Sequence, residues 1–291
     1  MYERFFHLRS KPFAMSPDPA FLFPSSEHAA ALTMLEYALE SQAPFCALTG
    51  EIGSGKTTLL RHFLRQHDGG FTVGLISNTH AAFRSIHPWA AAALGIATAG
   101  ASETALYDAL IDFIVKEYGK GRRTLLVVDE AHNLSTSILE ELRLLSNVNS
   151  ERDLALQIFL IGQPELREKL EQPALEQFAQ RVSVDFHLGA LTLEEARAYI
   201  AHRLTVAGGE TSLFQLEAVA MIHARTAGIP RLINQLCDLA LVYAFAEQRP
   251  TVDPSVLQLV LQDRKRSGAT RLFGKRQALT SPDADTVGNC G

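Results

Sequence analysis

Gly50-Glu51-Ile52-Gly53-Ser54-Gly55-Lys56-Thr57 spells G-x-x-x-x-G-K-[ST]. A short apolar run, Phe45 to Thr49, precedes it, and a helix-like pattern, Thr57 to Gln66, follows. That strand-then-helix context is the one the motif requires. Its glycines let the backbone curl so that successive N–H groups point inward and cradle phosphate oxygens. The helix that follows adds the positive end of its dipole. In such a cradle Lys56 reaches the β- and γ-phosphates of ATP, and the Thr57 hydroxyl holds Mg²⁺. Gly50 through Thr58 form the candidate nucleotide-binding set.

A second element is Leu125-Leu126-Val127-Val128-Asp129-Glu130, an apolar strand that delivers two adjacent carboxylates at its C-terminal end. Ligands gather at that end of open α/β sheets. Asp129 is the second expected Mg²⁺ residue. Glu130, one residue on, is placed to polarise the attacking water as a base. Between the two motifs there is room for another strand and its helices. A Glu directly after that Asp, with a strand expected between the motif strands, points to hydrolysis rather than binding alone. The base-reading Asn-Lys-x-Asp of a GTPase is missing from the sequence. Asp129-Glu130-Ala131-His132 echoes DEAH-type helicases, but a helical domain stands where such a helicase needs its second lobe. His132 is therefore expected to be a capping or surface residue.

Three more polar residues are candidates. Gln163 ends the run Leu156 to Ile161, where it can hydrogen-bond the γ-phosphate or the attacking water; a polar strand end is the bland alternative. Arg231 follows Gly228-Ile229-Pro230 at a helix start, a sharp entry that fixes its direction. A cation is unfavourable beside that helix end, so the position favours a role in reaching the γ-phosphate from a closing lid. Arg181, after Gln180, could project into a neighbouring subunit's site as an arginine finger; Arg167 and Arg143 are rivals, and a surface Arg is the alternative.

The elements that must carry these residues alternate. Strands are expected at Phe45–Thr49, Phe71–Ser77, Thr124–Val128, Leu156–Ile161 and Val182–Phe186. Helices lie between them at Thr57–Gln66, Ala81–Leu94, Thr104–Tyr118 and Leu134–Leu145, after a first helix from Ala30 to Glu40. This is the pattern of a parallel sheet covered on both faces. After Gly189 only helices follow: Thr192–Val206, Leu213–Arg225, Pro230–Glu247 and Pro254–Asp263. Thr192-x-x-Glu195 is a capping box that sets the first of these. The expected domains are an aromatic, proline-rich irregular arm over 1–25, an α/β core over 26–189, a helical lid over 190–263 and a disordered tail over 264–291.

Composition sets the limits. The 291 residues are 47% hydrophobic and 20% charged, ordinary for a globular chain and incompatible with disorder as its main state. A net charge of -5 argues against a surface coated in basic charge for nucleic acid. The basic cluster from Arg264 to Arg276 could touch phosphates or lipid headgroups, although a solvated tail is the plainer reading. Cys46, Cys237 and Cys290 have no pairing spacing and read as reduced thiols. Residues 1–12 lack the apolar stretch of a secretory signal. The run Leu232 to Glu247, broken by Asn234, Gln235 and Asp238, reads as a buried helix of a soluble protein.

The assembled pattern resembles an AAA+ ATPase, and more closely the ExeA family, also called general secretion pathway protein A. The likeness covers about residues 1–262. It rests on Met1-Tyr2-x-x-Phe5-Phe6-x-Leu8, Pro12-Phe13, Pro17-Asp18-Pro19-x-Phe21-Leu22 and the Gly50–Thr58 segment. It continues through Val128-Asp129-Glu130-Ala131-His132, Leu160-Ile161-Gly162-Gln163-Pro164-Glu165-Leu166, Gln180-Arg181, His187-Leu188 and Gly228-x-Pro230-Arg231-x-Ile233-Asn234. The resemblance implies a P-loop NTPase (AAA+) parallel sheet sandwiched by helices and followed by a small all-helical lid, with the aromatic arm near the adenine. It also implies an oligomeric, cytoplasmic ATPase that assembles or remodels an envelope complex (secretion, pilus or polysaccharide export) by docking on a membrane-protein partner, and so peripheral to the inner membrane. Longer members continue into a transmembrane helix and a periplasmic peptidoglycan-binding domain; this chain is expected to be a short form ending at Gly291. Short members resemble MshM-like ATPases of pilus loci. The competing reading is an AAA+ regulator of transposition, like TniB, that binds DNA in its ATP state. The acidic net charge counts against it.

Overall fold

In a computed structural model the described residues are 1–15, 21, 23–67, 69–77, 79, 84–150 and 153–266. The chain opens with α1 (Tyr2–Phe5) and α2 (Ser26–Glu40). Then come β1 (Phe45–Gly50), α3 (Lys56–Gln66), β2 (Phe71–Ile76), α4 (His87–Ala93), α5 (Glu103–Gly119) and β3 (Arg123–Val128). α6 (Thr136–Leu145), β4 (Leu156–Gly162), α7 (Pro164–Leu170), α8 (Glu176–Ala179) and β5 (Val182–Leu188) complete the α/β part. α9 (Leu193–Val206), α10 (Leu216–Thr226), α11 (Pro230–Ala246) and α12 (Pro254–Arg266) follow without a further named strand.

The sheet order is β2-β3-β4-β1-β5, and every pairing is parallel. β4 therefore lies between β1 and β3, the strands that end in the two phosphate-site motifs. β1, β3 and β4 are buried on both sides, which is why they read as continuous apolar runs. Alternation within them still sorts side chains to two faces. Cys46, Leu48, Leu125, Val127, Phe159 and Ile161 pack with Leu35 of α2 and with Leu59, Leu60 and Phe63 of α3. Phe45, Ala47, Leu126, Val128, Ile158 and Leu160 pack on the opposite side with α4 to α8. Each of the Val, Leu, Ile and Phe side chains among them, fully withdrawn from water, contributes about 1.5–3 kcal/mol. One polar residue sits inside β4: buried Gln157 donates from Nε2 to Ala38 O at 2.9 Å and Ala43 O at 3.1 Å, joining the strand to the end of α2.

Helix starts follow local chemistry. Ser25, Ser102 and Ser135 accept from the backbone N–H three residues on and begin α2, α5 and α6. Thr192 and Glu195 close the expected capping box at α9. α11 begins on Pro230 at its first position.

Several sequence expectations shift. The arm is not wholly irregular, since Tyr2–Phe5 is helical. Its residues Tyr2, Phe6, Leu8, Phe13 and Phe21 belong to the core of the C-terminal helices rather than to the sheet. Tyr2 Oη donates to Asp238 Oδ1 at 2.5 Å, and Arg9 N–H donates to Ala207 O at 2.7 Å. The helix read from Ala81 begins at His87, and residues 80–83 lie outside the described part. The helix expected from Leu134 begins at Thr136, after a short 3₁₀ turn at Ala131–Asn133. The expected disorder from Arg264 fails for its first three residues, because α12 continues to Arg266; residues 267–291 lie outside the described part. Among the described residues no helix is long and apolar enough to cross a membrane.

Candidate active site

β1 ends at Gly50, and the chain turns through Gly53 and Gly55 before α3 begins at Lys56. Gly53 and Gly55 hold φ of 85° and 107°, values that L side chains rarely adopt. A Cβ on Gly55 would stand 2.7 Å from His28 Nε2, and one on Gly53 would stand 2.3 Å from Arg231 Cβ. Both glycines are thus fixed by backbone conformation and by space. The loop walls a cleft of about 400 Å³.

Inside this cleft Lys56 is buried, and its Nζ donates to Gly50 O at 2.6 Å and Glu51 O at 2.9 Å. Burial holds its ammonium below the ordinary lysine range, opposed by Glu130 and Asp129 nearby. The Thr57 hydroxyl donates to Asp129 Oδ2 at 3.0 Å. Asp129 is buried at the end of β3, and desolvation raises its carboxyl above the usual range despite bonds from Glu130 N–H and Thr57. Ser54 Oγ is buried without a hydrogen-bond partner. An orphaned hydroxyl, a glycine-built amide curl, an ammonium and a hydroxyl–carboxylate pair make a donor set that fits a triphosphate with a hard, oxygen-seeking cation.

Glu130 lies on the same cleft wall. Its backbone is left-handed, φ 55° and ψ 33°, uncommon for a residue with a side chain. Neighbours enforce it: Thr79 Oγ1 donates to Glu130 O at 2.6 Å and to Asp129 O at 3.1 Å. Gln163 also lines the cleft from the tip of β4, with its Nε2 3.5 Å from Glu130 Oε2. His132, expected at a cap or on the surface, is instead mostly buried between them. Its Nε2 is 2.8 Å from Gln163 Nε2, and its Nδ1 is 3.5 Å from Glu130 Oε2. The cause is tertiary: the 3₁₀ turn after Glu130 folds back onto the tip of β4, where Gly162 lies against His132 N.

Ile52, Gly53, Ser54, Gly55, Lys56, Thr57 and Thr58 line the cleft, and Gly50 and Glu51 meet it through the carbonyls that hold Lys56. Arg231 and Pro230 enter from α11, and Arg231 N–H donates to Gly53 O at 3.2 Å. Arg181 is the candidate that stands apart. Its Nη1 donates to Arg143 O, Ser146 Oγ and Asn147 Oδ1, at 3.2, 2.7 and 2.9 Å, away from this cleft.

The arm that the sequence singled out as aromatic builds the other end together with α9 and α11. Ala14, Met15, Phe21 and Phe23 of the arm face Tyr199 and Arg203 of α9 and Asn234 of α11. Buried Arg203 donates to Pro12 O, to Ala14 O and to Tyr199 Oη, and its guanidinium lies 4.7 Å from the Phe21 ring centre. His28 is buried too, with Nδ1 2.6 Å from Ser25 Oγ. Desolvation lowers its pKa, and a hydrogen bond with the Ser54 backbone opposes that.

The chain is similar to known proteins in sequence and in fold. A family model described as an AAA domain matches residues 39–170. General secretion pathway protein A of Aeromonas hydrophila is 39% identical over 247 residues, 84% of this chain and 45% of that protein. The chain thus spans about half the length of that relative. Cdc6p from Pyrobaculum aerophilum superposes with a TM-score of 0.63 at 17% identity, over 88% of this chain and 70% of that one. The ORC2 protein of Aeropyrum pernix, solved in ADPNP-ADP complexes, gives 0.60 at 17% identity, over 87% and 71%. Those two likenesses concern the fold. The chain carries an AAA domain over residues 39–170 and is similar over most of its length to general secretion pathway protein A.

Proposed function

We propose that the chain binds Mg-ATP in this cleft and hydrolyses it, and that the cycle drives assembly or remodelling of an envelope complex. The observation that carries the chemistry is the meeting of Lys56, the Thr57–Asp129 pair, Glu130 and Gln163 in one cleft. The triphosphate lies in the Gly50–Thr58 curl. Lys56 Nζ exchanges its carbonyl partners for phosphate oxygens, and Ser54 Oγ gains an acceptor there. Thr57 and Asp129 hold Mg²⁺, which when bound neutralises charge on the β- and γ-phosphates. Glu130 accepts the proton of the water that attacks the γ-phosphorus while the bond from that phosphorus to the β-phosphate oxygen breaks and ADP leaves, and Gln163 positions the reacting group. Arg231 reaches the γ-phosphate from α11, so that closure of the C-terminal helices over the core follows occupancy. The arm supplies the wall beside the base.

Arg181 lies outside its own cleft and serves a neighbouring copy as an arginine finger in a homo-oligomer formed in the ATP state. The likeness to a secretion-pathway protein supports a cytoplasmic ATPase held at the inner membrane by a membrane-protein partner of a secretion, pilus or polysaccharide system. Phosphate release from Mg-ATP by the parent and by Lys56→Ala protein tests the chemistry, and only the parent should be active. Filter binding to DNA with ATP across a salt series tests the role. Tight binding with a steep negative salt slope would replace the envelope reading by a DNA-bound regulator.

A further inference from the structure

Three side chains at the arm's end of the cleft fix one another's hydrogen bonds in turn. An arginine guanidinium keeps its charge and only donates. Buried Arg203 is anchored on Pro12 O and Ala14 O and gives Nη1 to Tyr199 Oη at 2.8 Å. Burial raises the pKa of Tyr199, so its phenol keeps its one hydrogen at neutral pH. Among the described residues Tyr199 Oη meets only Arg203 and Asn234. Since Arg203 donates, that hydrogen goes to Asn234, and the atom that takes it, 2.9 Å away, is Oδ1. The orientation of the amide is therefore set by a charge two side chains away. Asn234 Oδ1 is engaged, while Nδ2 makes no hydrogen bond among the described residues.

Asn234 is buried and yet lines the cleft. It stands one helical turn after Arg231 on α11, on the same face. Arg231 meets the phosphate loop at Gly53, so Asn234 lies farther from the loop, beside the arm. The walls there are the apolar Met15, Phe21 and Phe23. Phe23 and Tyr199 meet edge to face with 5.7 Å between ring centres, and the Arg203 guanidinium backs Phe21 at 4.7 Å. A flat ring with apolar faces and acceptor nitrogens on its edge suits this place, and a purine is such a ring. Resting on the ATP reading and going past it, we propose that Asn234 is a base-reading residue. It donates from Nδ2 to an acceptor nitrogen of the adenine ring, and Tyr199 and Arg203 are the positioning residues that aim it. An amide presented this way offers hydrogen only, so it selects a ring nitrogen and not the exocyclic amine.

The test measures binding to the full chain. Mg-ATP is compared with 1-deaza-, 3-deaza- and 7-deaza-ATP, each lacking one ring acceptor, and with tripolyphosphate, which carries no base. The parent should bind one of the deaza analogues roughly 3- to 10-fold more weakly than ATP, the scale of one neutral hydrogen bond. Asn234→Ala should weaken ATP by a similar factor and bind that same analogue no worse than the parent does. Tyr199→Phe, which releases the amide, should lose part of the same discrimination. Neither substitution should change the affinity for tripolyphosphate, with thermal melts confirming that both fold. Equal affinity of the parent for ATP and all three analogues needs no variant to overturn the proposal. Losses that add in Asn234→Ala where they should overlap, or an Asn234→Ala protein that loses tripolyphosphate as much as ATP, would overturn it too. Overlap with 2′-deoxy-ATP instead would put Asn234 on the sugar and sink the base-reading role. In each of these cases the parent still holds ATP, whereas a parent that binds neither ATP nor tripolyphosphate would remove the nucleotide site itself.

Discussion

Gly53 and Arg231 form one of the points where the sheet domain meets the C-terminal helices. The Arg231 N–H donates to Gly53 O at 3.2 Å, and a Cβ on Gly53 would stand 2.3 Å from Arg231 Cβ. The phosphate loop and the start of α11 are therefore in backbone contact, with no room for a side chain between them. A ligand that orders one acts directly on the other.

Gly53→Ala should therefore separate the loop from α11. The backbone penalty at φ 85° adds to the clash, and the variant should lose more than about 1 kcal/mol of stability. Its affinity for ATP should fall more than its melting temperature alone accounts for. Titration calorimetry with Mg-ATP alongside a thermal melt separates the two; unchanged ATP affinity would remove this contact from the binding argument.

His28 makes the stability of the nucleotide-free protein depend on pH. Burial lowers its pKa from the ordinary 6.5, so the unfolded chain takes up a proton more readily than the folded one. Its contribution is fully present above that ordinary value and is lost as pH falls through the depressed folded value. The melting temperature should drop on acidification below about pH 6.5, and His28→Gln should flatten that drop. Equal acid sensitivity in the two proteins would show that His28 is not responsible.

The sequence and the fold part company at particular residues. The parallel sheet and both phosphate motifs were legible because β1, β3 and β4 are short apolar runs, each ending in a distinctive polar signature; the order β2-β3-β4-β1-β5 came only with the structure. The Thr192–Glu195 box was legible because its chemistry is local. His28, His132, Tyr199 and Arg203 were not, since each gains its position from contacts remote in sequence. Arg203 illustrates the difficulty: its partners are the carbonyls of Pro12 and Ala14, in an arm that no periodicity assigns to the lid. The left-handed Glu130 was hidden for a similar reason, because Thr79 enforces it from another strand's end.

Arg181→Ala should lower turnover without weakening ATP binding, since its guanidinium is bonded to Arg143 O, Ser146 Oγ and Asn147 Oδ1 outside the cleft. The loss should be about 10³-fold or more for a full arginine finger. Mixing Arg181→Ala with Lys56→Ala protein should restore part of the activity, because the first supplies an intact cleft and the second an intact finger. Additive, unrestored activity across all mixing ratios would place the finger elsewhere.

Arg203→Met should loosen the arm while leaving the phosphate loop intact. It removes three hydrogen bonds, to Pro12 O, Ala14 O and Tyr199 Oη, and strands those acceptors at a cost of about 1–3 kcal/mol each where they stay buried. Hydrogen exchange should rise in residues 1–15 before it rises in β1 or β3. Uniform exchange throughout would mean that the arm is held by its aromatic packing alone.

The most direct test of the account is Glu130→Gln, assayed for Mg-ATP binding and phosphate release on the same preparation. The neutral amide is close to the parent side chain in shape, so ATP should bind as it does to the parent. Turnover should fall by about 10²–10⁴-fold, the range for loss of a general base. Phosphate release at the parent rate would contradict the assignment of Glu130 as the base that readies the attacking water.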